Sequence, residues 1–207
     1  MGKDDGYYHA IRLRGYGSLP VLESILKQGI ISIRSGAYKS SDFRMNDEDE
    51  ICLSKPDNSI KNLFFGNSAF EQAVSMAQII LVIDGGIEGV TKPRVLDRIT
   101  ATYLAEKGKT GYTEFTDEYR TKIPIDKTKI RGILFPGYKL LTASRLFAYN
   151  FKDNIRDDST FDERKKVVEN YYTSVSNLVN KSGIDIPIYD LDTGLELKTK
   201  DDLGKKK

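Results

Sequence analysis

The chain has 207 residues, enough for one domain to bury a full core without disulfide or metal support. Lys and Arg number 32 against 30 Asp and Glu, a net charge of +2 that argues against a strongly electrostatic nucleic-acid binder. A lone cysteine, Cys52, excludes an internal disulfide and fits a cytoplasmic, soluble protein, and a lone histidine, His9, excludes an ordinary zinc site. No apolar run opens the chain as a signal peptide would, and none approaches the roughly 20 residues of a membrane span.

Alternation from Tyr7 to Leu13 predicts a first strand, which Gly15-Tyr16-Gly17 ends. Ser18 stands as the N-cap of an amphipathic helix that Gly29 closes. Ile30 to Ile33 reads as a short strand or packed turn, and Ser35 to Glu50, with Asp47-Glu48-Asp49-Glu50, as a polar surface loop. Glu50 to Ser54 is a second strand, closed by Lys55-Pro56-Asp57-Asn58. Ser68 and Glu71 make a capping-box pattern for a helix to about Ala77, and Ile79 to Ile83 is a buried strand. Asp84 to Gly89 follows that strand but lacks the spacing of a dinucleotide-binding glycine turn.

Thr91 and Pro93 introduce a helix that Gly108 ends, and Lys109 to Asp117 is loop. From Glu118 to Ile125 side chains alternate, with Tyr119, Thr121, Ile123 and Ile125 on one face and Glu118, Arg120 and Lys122 on the other. Asp126 to Lys129 turns the chain into a strand from Ile130 to Phe135, so Glu118 to Phe135 reads as an antiparallel hairpin. Lys139 to Asn150 is a short helix. Thr160 and Glu163 form the best capping box, opening a long helix with a stripe of Val167, Val168, Tyr171, Tyr172, Val175, Leu178 and Val179. Ile184 to Tyr189 and Leu195 to Leu197 form a strand pair around Asp192-Thr193-Gly194. The irregular mixture of strands and helices gives an α+β fold. It forms one domain over residues 1–200, of which 136–200 is the helical C-terminal part, and 201–207 is a disordered basic tail.

Three segments carry chemistry when taken together: Tyr8-His9 followed by the Ser18 to Gly29 helix, the strand Ile51-Cys52-Leu53-Ser54, and Glu118 to Ile125 followed by Ile130-Arg131-Gly132-Ile133. In this order they resemble the histidine…serine…glutamate pattern of the ADP-ribosyltransferases, over roughly residues 6 to 136. The resemblance implies split antiparallel sheets with flanking helices. It also implies an NAD-dependent mono-ADP-ribosyltransferase, with NAD as a consumed substrate, no metal, no membrane, and a macromolecular acceptor, protein or nucleic acid.

By the same resemblance Glu118 is the catalytic carboxylate, stabilising the cation that develops as the nicotinamide–ribose bond breaks. His9 grips a ribose, Ser54 orients Glu118, and Arg12 or Arg14 lies in the register where another branch of the family uses arginine. Tyr112 and Phe115, in the loop before the glutamate, face the acceptor. Glu114 and Asp117 lie close enough in sequence to compete for the carboxylate role, and Thr116 stands where arginine- and asparagine-directed members carry Glu or Gln. The family's stacking tyrosine is missing from the second motif, which leaves Tyr38, Phe64 and Tyr103 as alternatives. Two other readings stay open: a non-enzymatic binding module on the same scaffold, and an RNA 2′-phosphotransferase-like enzyme.

Overall fold

The computed structural model describes residues 6–13, 15–32, 50–56, 68–142, 151 and 159–205. Short apolar runs become β1 (Tyr7–Ala10), β2 (Ile51–Ser54) and β3 (Ile80–Ile83), with α1 (Leu19–Gln28) and α2 (Ala69–Ser75) between them. There follow β4 (Arg94–Val95), α3 (Arg98–Glu106), β5 (Tyr112–Thr113), β6 (Glu118–Thr121) and β7 (Ile130–Phe135). The chain closes with α4 (Lys139–Thr142), α5 (Phe161–Ser182) and β8 (Ile188–Asp190).

Six strands form one sheet in the order β6-β2-β1-β3-β7-β8, antiparallel except for the parallel β7–β8 pair. This is the expected α+β class with flanking helices, but the main strands form one mostly antiparallel sheet where split sheets were expected, because the Tyr8–Ser54 pair joins β2 to β1. Alternation sends Leu53, Leu81, Ile83, Ile133 and Phe135 to one face, where α1 and α5 bury Leu22, Ile25, Leu26, Val168, Tyr171 and Val175 against them. The other face is smaller: Ile80 and Leu134 pack with Ala73 and Phe70 of α2 and with Tyr8. Among the described residues no helix is long and apolar enough to cross a membrane.

The capping box at Thr160 forms as expected: its hydroxyl accepts from the Glu163 amide, and its own amide donates to Glu163 Oε2 at 2.7 Å. The α5 stripe is core, and Gly183 ends the helix in the left-handed region. Several expectations change. Glu118 to Phe135 is not a hairpin, because β6 pairs with β2 and β7 with β3, leaving three strands between them. The alternation identified strands, whereas their partners are set by β2 and β3. The connection carries Ile125 across to bridge Ile30 instead.

The helix expected from Thr91 begins at Arg98, capped by Asp97, whose side chain accepts from the Thr100 amide at 3.0 Å. Thr91 and residues 94–95 are drawn into strand pairing, with Arg120 and with β5, so the Lys109 to Asp117 segment is not wholly loop. Ser18 does not cap α1 with its side chain, because a 3-10 turn over Gly15–Ser18 already makes the chain helical there. Its hydroxyl is buried instead, donating to Gly15 O at 2.8 Å and lying 2.5 Å from the Tyr171 hydroxyl. The region 136–200 contains β8 as well as helix. The boundary expected at residue 200 does not fall there, since Lys200–Asp202 forms a 3-10 turn and Leu203 is buried in the core. The expected loop over 35–49, the helix beyond Thr142, and Lys206-Lys207 lie outside the described residues.

Gly29 holds the α1 end against the Ile30–Ile125 bridge. Its φ is +85°, and a Cβ there would sit 2.3 Å from the Ile125 carbonyl oxygen. Gly29→Ala is expected to destabilise the fold by at least about 1–3 kcal/mol. That should lower the melting temperature by about 2–4 °C per kcal/mol in a thermal unfolding scan; an unchanged melt would refute the close approach.

Candidate functional site

The site begins where three sequence-distant strands meet. Ser54 of β2 is the Cα partner of Tyr8 on one side and of Glu118 on the other. Directly opposed residues in antiparallel strands share a face, so Tyr8, Ser54 and Glu118 form a row across the sheet. Ser54 and Glu118 are both buried. Cys52 is likewise opposite Arg120, which puts Arg120 beside Glu118 on that face.

Glu118 is 3% exposed and both its oxygens are engaged: Oε1 accepts from Arg120 Nε at 2.6 Å and Oε2 from the Thr113 hydroxyl at 2.6 Å. Arg120, 1% exposed, spends its remaining nitrogens on Glu50 Oε2 at 3.2 Å and the Tyr112 carbonyl at 3.0 Å. These are charge-assisted bonds in a site shielded from water, which is where such bonds are strongest. The backbone of Arg120 is fixed too, exchanging two hydrogen bonds with Thr91 at 2.8 and 2.9 Å. The chain therefore leaves Arg120 at Thr91, makes β4, α3 and β5, and returns to the same arginine at Tyr112 and to Glu118 at Thr113.

β1 and β2 share only the Tyr8–Ser54 pair; beyond it the ladder stops. His9 fills the seam, its Nδ1 2.8 Å from the Cys52 carbonyl. A carbonyl only accepts, so Nδ1 carries the proton and Nε2 of the neutral ring is an acceptor. Burial lowers the proton affinity of His9 and the Arg12 charge lowers it further, against the opposing effect of the Cys52 hydrogen bond. Arg12 is exposed just past β1, and Arg14 lies outside the described residues. Strand alternation turns His9, the Cα partner of Leu81, to the opposite face of the sheet from Tyr8, Ser54 and Glu118, so the seam between β1 and β2, not a shared face, relates it to Glu118.

The nearby carboxylates separate by role. Asp117 accepts from the amides of Ala69 and Phe70, at 2.6 and 3.1 Å, and from the Ser68 hydroxyl at 2.8 Å. It supplies from a distance the carboxylate that Glu71 was expected to bring to the cap of α2, while Ser68 accepts from the Glu71 amide as expected. Glu114 faces Arg98 at 3.4 Å across a cleft of about 350 Å³ that Phe115, Ser68, Glu71 and Gln72 also line. Phe115 thus reaches an open cleft. Tyr112 is half-buried, and its carbonyl serves to hold Arg120. Among the described residues the side chains that hold the Glu118 carboxylate are Thr113 and Arg120, the task expected of Ser54. Of the stacking alternatives, Tyr103 is exposed on α3 with Lys107 Nζ 5.7 Å from its ring, and Tyr38 and Phe64 lie outside the described residues.

Sequence reasoning missed Arg120, Thr113 and Glu50. One signal for Arg120 was present: Glu118 and Arg120 are opposite charges two apart on a strand, hence on one face. Nothing local connects Thr113 or Glu50 to them. Among the described residues no group of three or more His, Cys, Asp and Glu side chains is placed to hold a metal ion. Comparison with protein-family models, with curated proteins and with solved structures finds no match.

The sign of the His9 effect on stability follows from its lowered pKa. The stability is present in full above its ordinary value of 6.5 and is lost as pH falls below it, because the unfolded chain takes up the proton first. Urea unfolding of the wild type and of His9→Gln between about pH 8 and about pH 5 should show the wild type losing more stability toward acid. Parallel curves for the two proteins would rule out a neutral, half-buried imidazole.

Proposed function

We propose that this chain is a mono-ADP-ribosyltransferase with an ADP-ribosyltransferase-like fold, consuming NAD. One observation carries the reading: the histidine, serine and glutamate segments that resemble the family come from residues 9, 54 and 118, yet they lie on three neighbouring strands, with Ser54 paired directly to Glu118. Nothing local in the sequence requires that convergence.

In the proposed reaction the bond between nicotinamide nitrogen and ribose C1′ breaks, and its electron pair leaves with neutral nicotinamide. Positive charge develops on the ribose, and an acceptor nucleophile attacks C1′ and loses a proton. Glu118 faces that charge and accepts a hydrogen bond from a ribose hydroxyl. Its two existing bonds do not prevent this, since a carboxylate has about four acceptor positions. His9, on the opposite face, reaches the other ribose in this reading across the seam where the β1–β2 ladder stops, with Nε2 accepting. The acceptor, protein or nucleic acid, approaches past Phe115.

The burial of Glu118 and the engagement of both its oxygens also favour a second reading, a binding module in which the pair with Arg120 is purely structural. Nicotinamide release separates the two. Glu118→Gln is the variant to use, because deleting the side chain would strand the Arg120 charge at a cost of about 3–5 kcal/mol. Wild-type protein with NAD is expected to release nicotinamide, and Glu118→Gln to lower kcat by about a hundredfold or more with the fold intact. His9→Gln should act mainly on KM. NAD binding without release would establish the module, and neither binding nor release would overturn the assignment.

A further inference from the structure

We infer that Arg120, backed by Glu50, is a positioning residue that sets the orientation and local charge of Glu118; the inference rests on the proposed transferase reading. The Arg120 guanidinium is taken up by Glu118, Glu50 and the Tyr112 carbonyl, so the part it plays is exerted through Glu118. Its planar guanidinium is anchored in three directions, by Glu118 through Nε, by Glu50 through Nη1 and by the Tyr112 carbonyl through Nη2. The terminal carboxylate torsion of a glutamate is otherwise broad and nearly free. Here it is fixed from two elements, Arg120 on β6 and Thr113 on β5. Two acceptor positions remain, aimed in a set direction.

Charge raises the problem that Glu50 answers. A guanidinium 2.6 Å from the carboxylate would by itself cancel the negative field that a developing ribose cation requires. Glu50 lies 3.2 Å from the same guanidinium, so two carboxylates share one cation and the cluster keeps one formal negative charge. The arrangement holds the carboxylate still without neutralising the site. A lysine at 120 would keep the charge and lose the fork, which separates geometry from electrostatics.

The test is the initial rate of nicotinamide release by the full chain, with NAD varied, for wild type, Glu118→Gln, Arg120→Lys, Arg120→Ala and Glu50→Gln, each checked for fold by circular dichroism. Arg120→Lys is expected to lose about tenfold or more in kcat with KM within about threefold of wild type. Glu50→Gln should also fall in kcat. Added guanidinium ion at non-denaturing concentration should restore part of the Arg120→Ala rate and leave wild type unchanged. If Arg120→Ala does not fold, Arg120→Lys and Glu50→Gln carry the test. Folded Arg120→Lys and Glu50→Gln proteins with wild-type kcat would overturn the inference while a dead Glu118→Gln left the transferase reading standing. A wild type that releases no nicotinamide would overturn both.

Discussion

A guanidinium with almost no contact with water, that of Arg120, sets the terms for one whole edge of this protein. Taking an ion of that size out of water costs several kcal/mol even after relaxation, so it must be met by charge and by hydrogen bonds in good geometry. The chain meets it from three places, Glu118 two residues back, Glu50 just before β2 and the Tyr112 carbonyl of β5, while the backbone of Thr91 holds the backbone of Arg120. The excursion through β4, α3 and β5 starts and ends on this residue, and the parallel pairing of β4 with β5 closes it. Without that excursion β6 would be a bare sheet edge bearing a buried charge pair. With it, the edge is covered and Thr113 is delivered to Glu118.

The second organising feature is the seam beside it. β2–β6 and β1–β3 are each paired over four residues, while β1–β2 holds at Tyr8–Ser54 alone. An unsatisfied buried carbonyl costs about 1–3 kcal/mol, and at Cys52 an imidazole takes the place of a backbone donor. That role fixes the tautomer, which in turn leaves Nε2 as an acceptor. The carboxylate of Glu118 lies two strands away. On the proposed reading both groups offer lone pairs to one ligand, reached from opposite faces across the seam, and the complement of two acceptors is a ligand rich in hydroxyl donors. Ribose is one.

Local signals in the sequence survived folding; the long-range ones were silent. Thr160 with Glu163 and the valine–tyrosine stripe of α5 were legible because capping and helical periodicity are properties of a few consecutive residues. The strands were legible for the same reason. Their partners were not: Glu118 to Phe135 had every local mark of a hairpin, and only competition from β2 and β3 separates its two halves. Ser18 illustrates the limit from the other side, since its hydroxyl could cap its own helix or meet Tyr171, 153 residues away, and the sequence contains no sign of the second choice. Asp117 is the same case, a cap contributed 49 residues downstream of Ser68. At the candidate site, Glu118, Ser54 and His9 were named from the resemblance that three segments carry in their order, and they lie on three neighbouring strands. The groups around Glu118 could not be named, because Thr113 reaches Glu118, and Glu50 reaches Arg120, only through tertiary structure.

The energetics bear on why such a pair sits in this strand at all. Replacing a buried ion pair by apolar residues of similar volume is often neutral or stabilising, by as much as about 1–4 kcal/mol. The neighbouring strands follow the apolar solution: β3 is Ile-Leu-Val-Ile, and β2 is apolar until Ser54. β6 departs from it at two alternate positions, and the departure needs a third charge, a threonine, a carbonyl and a separate two-stranded sheet to be tolerated. Sequences that break the rule of apolar interiors do so mainly where a site requires the polar group. A purely structural role would retain Glu118 and Arg120 over two valines only for the unique strand pairing they impose. The proposed reaction would give a reason for each member of the cluster: a carboxylate that keeps its charge and its direction beside a forming cation.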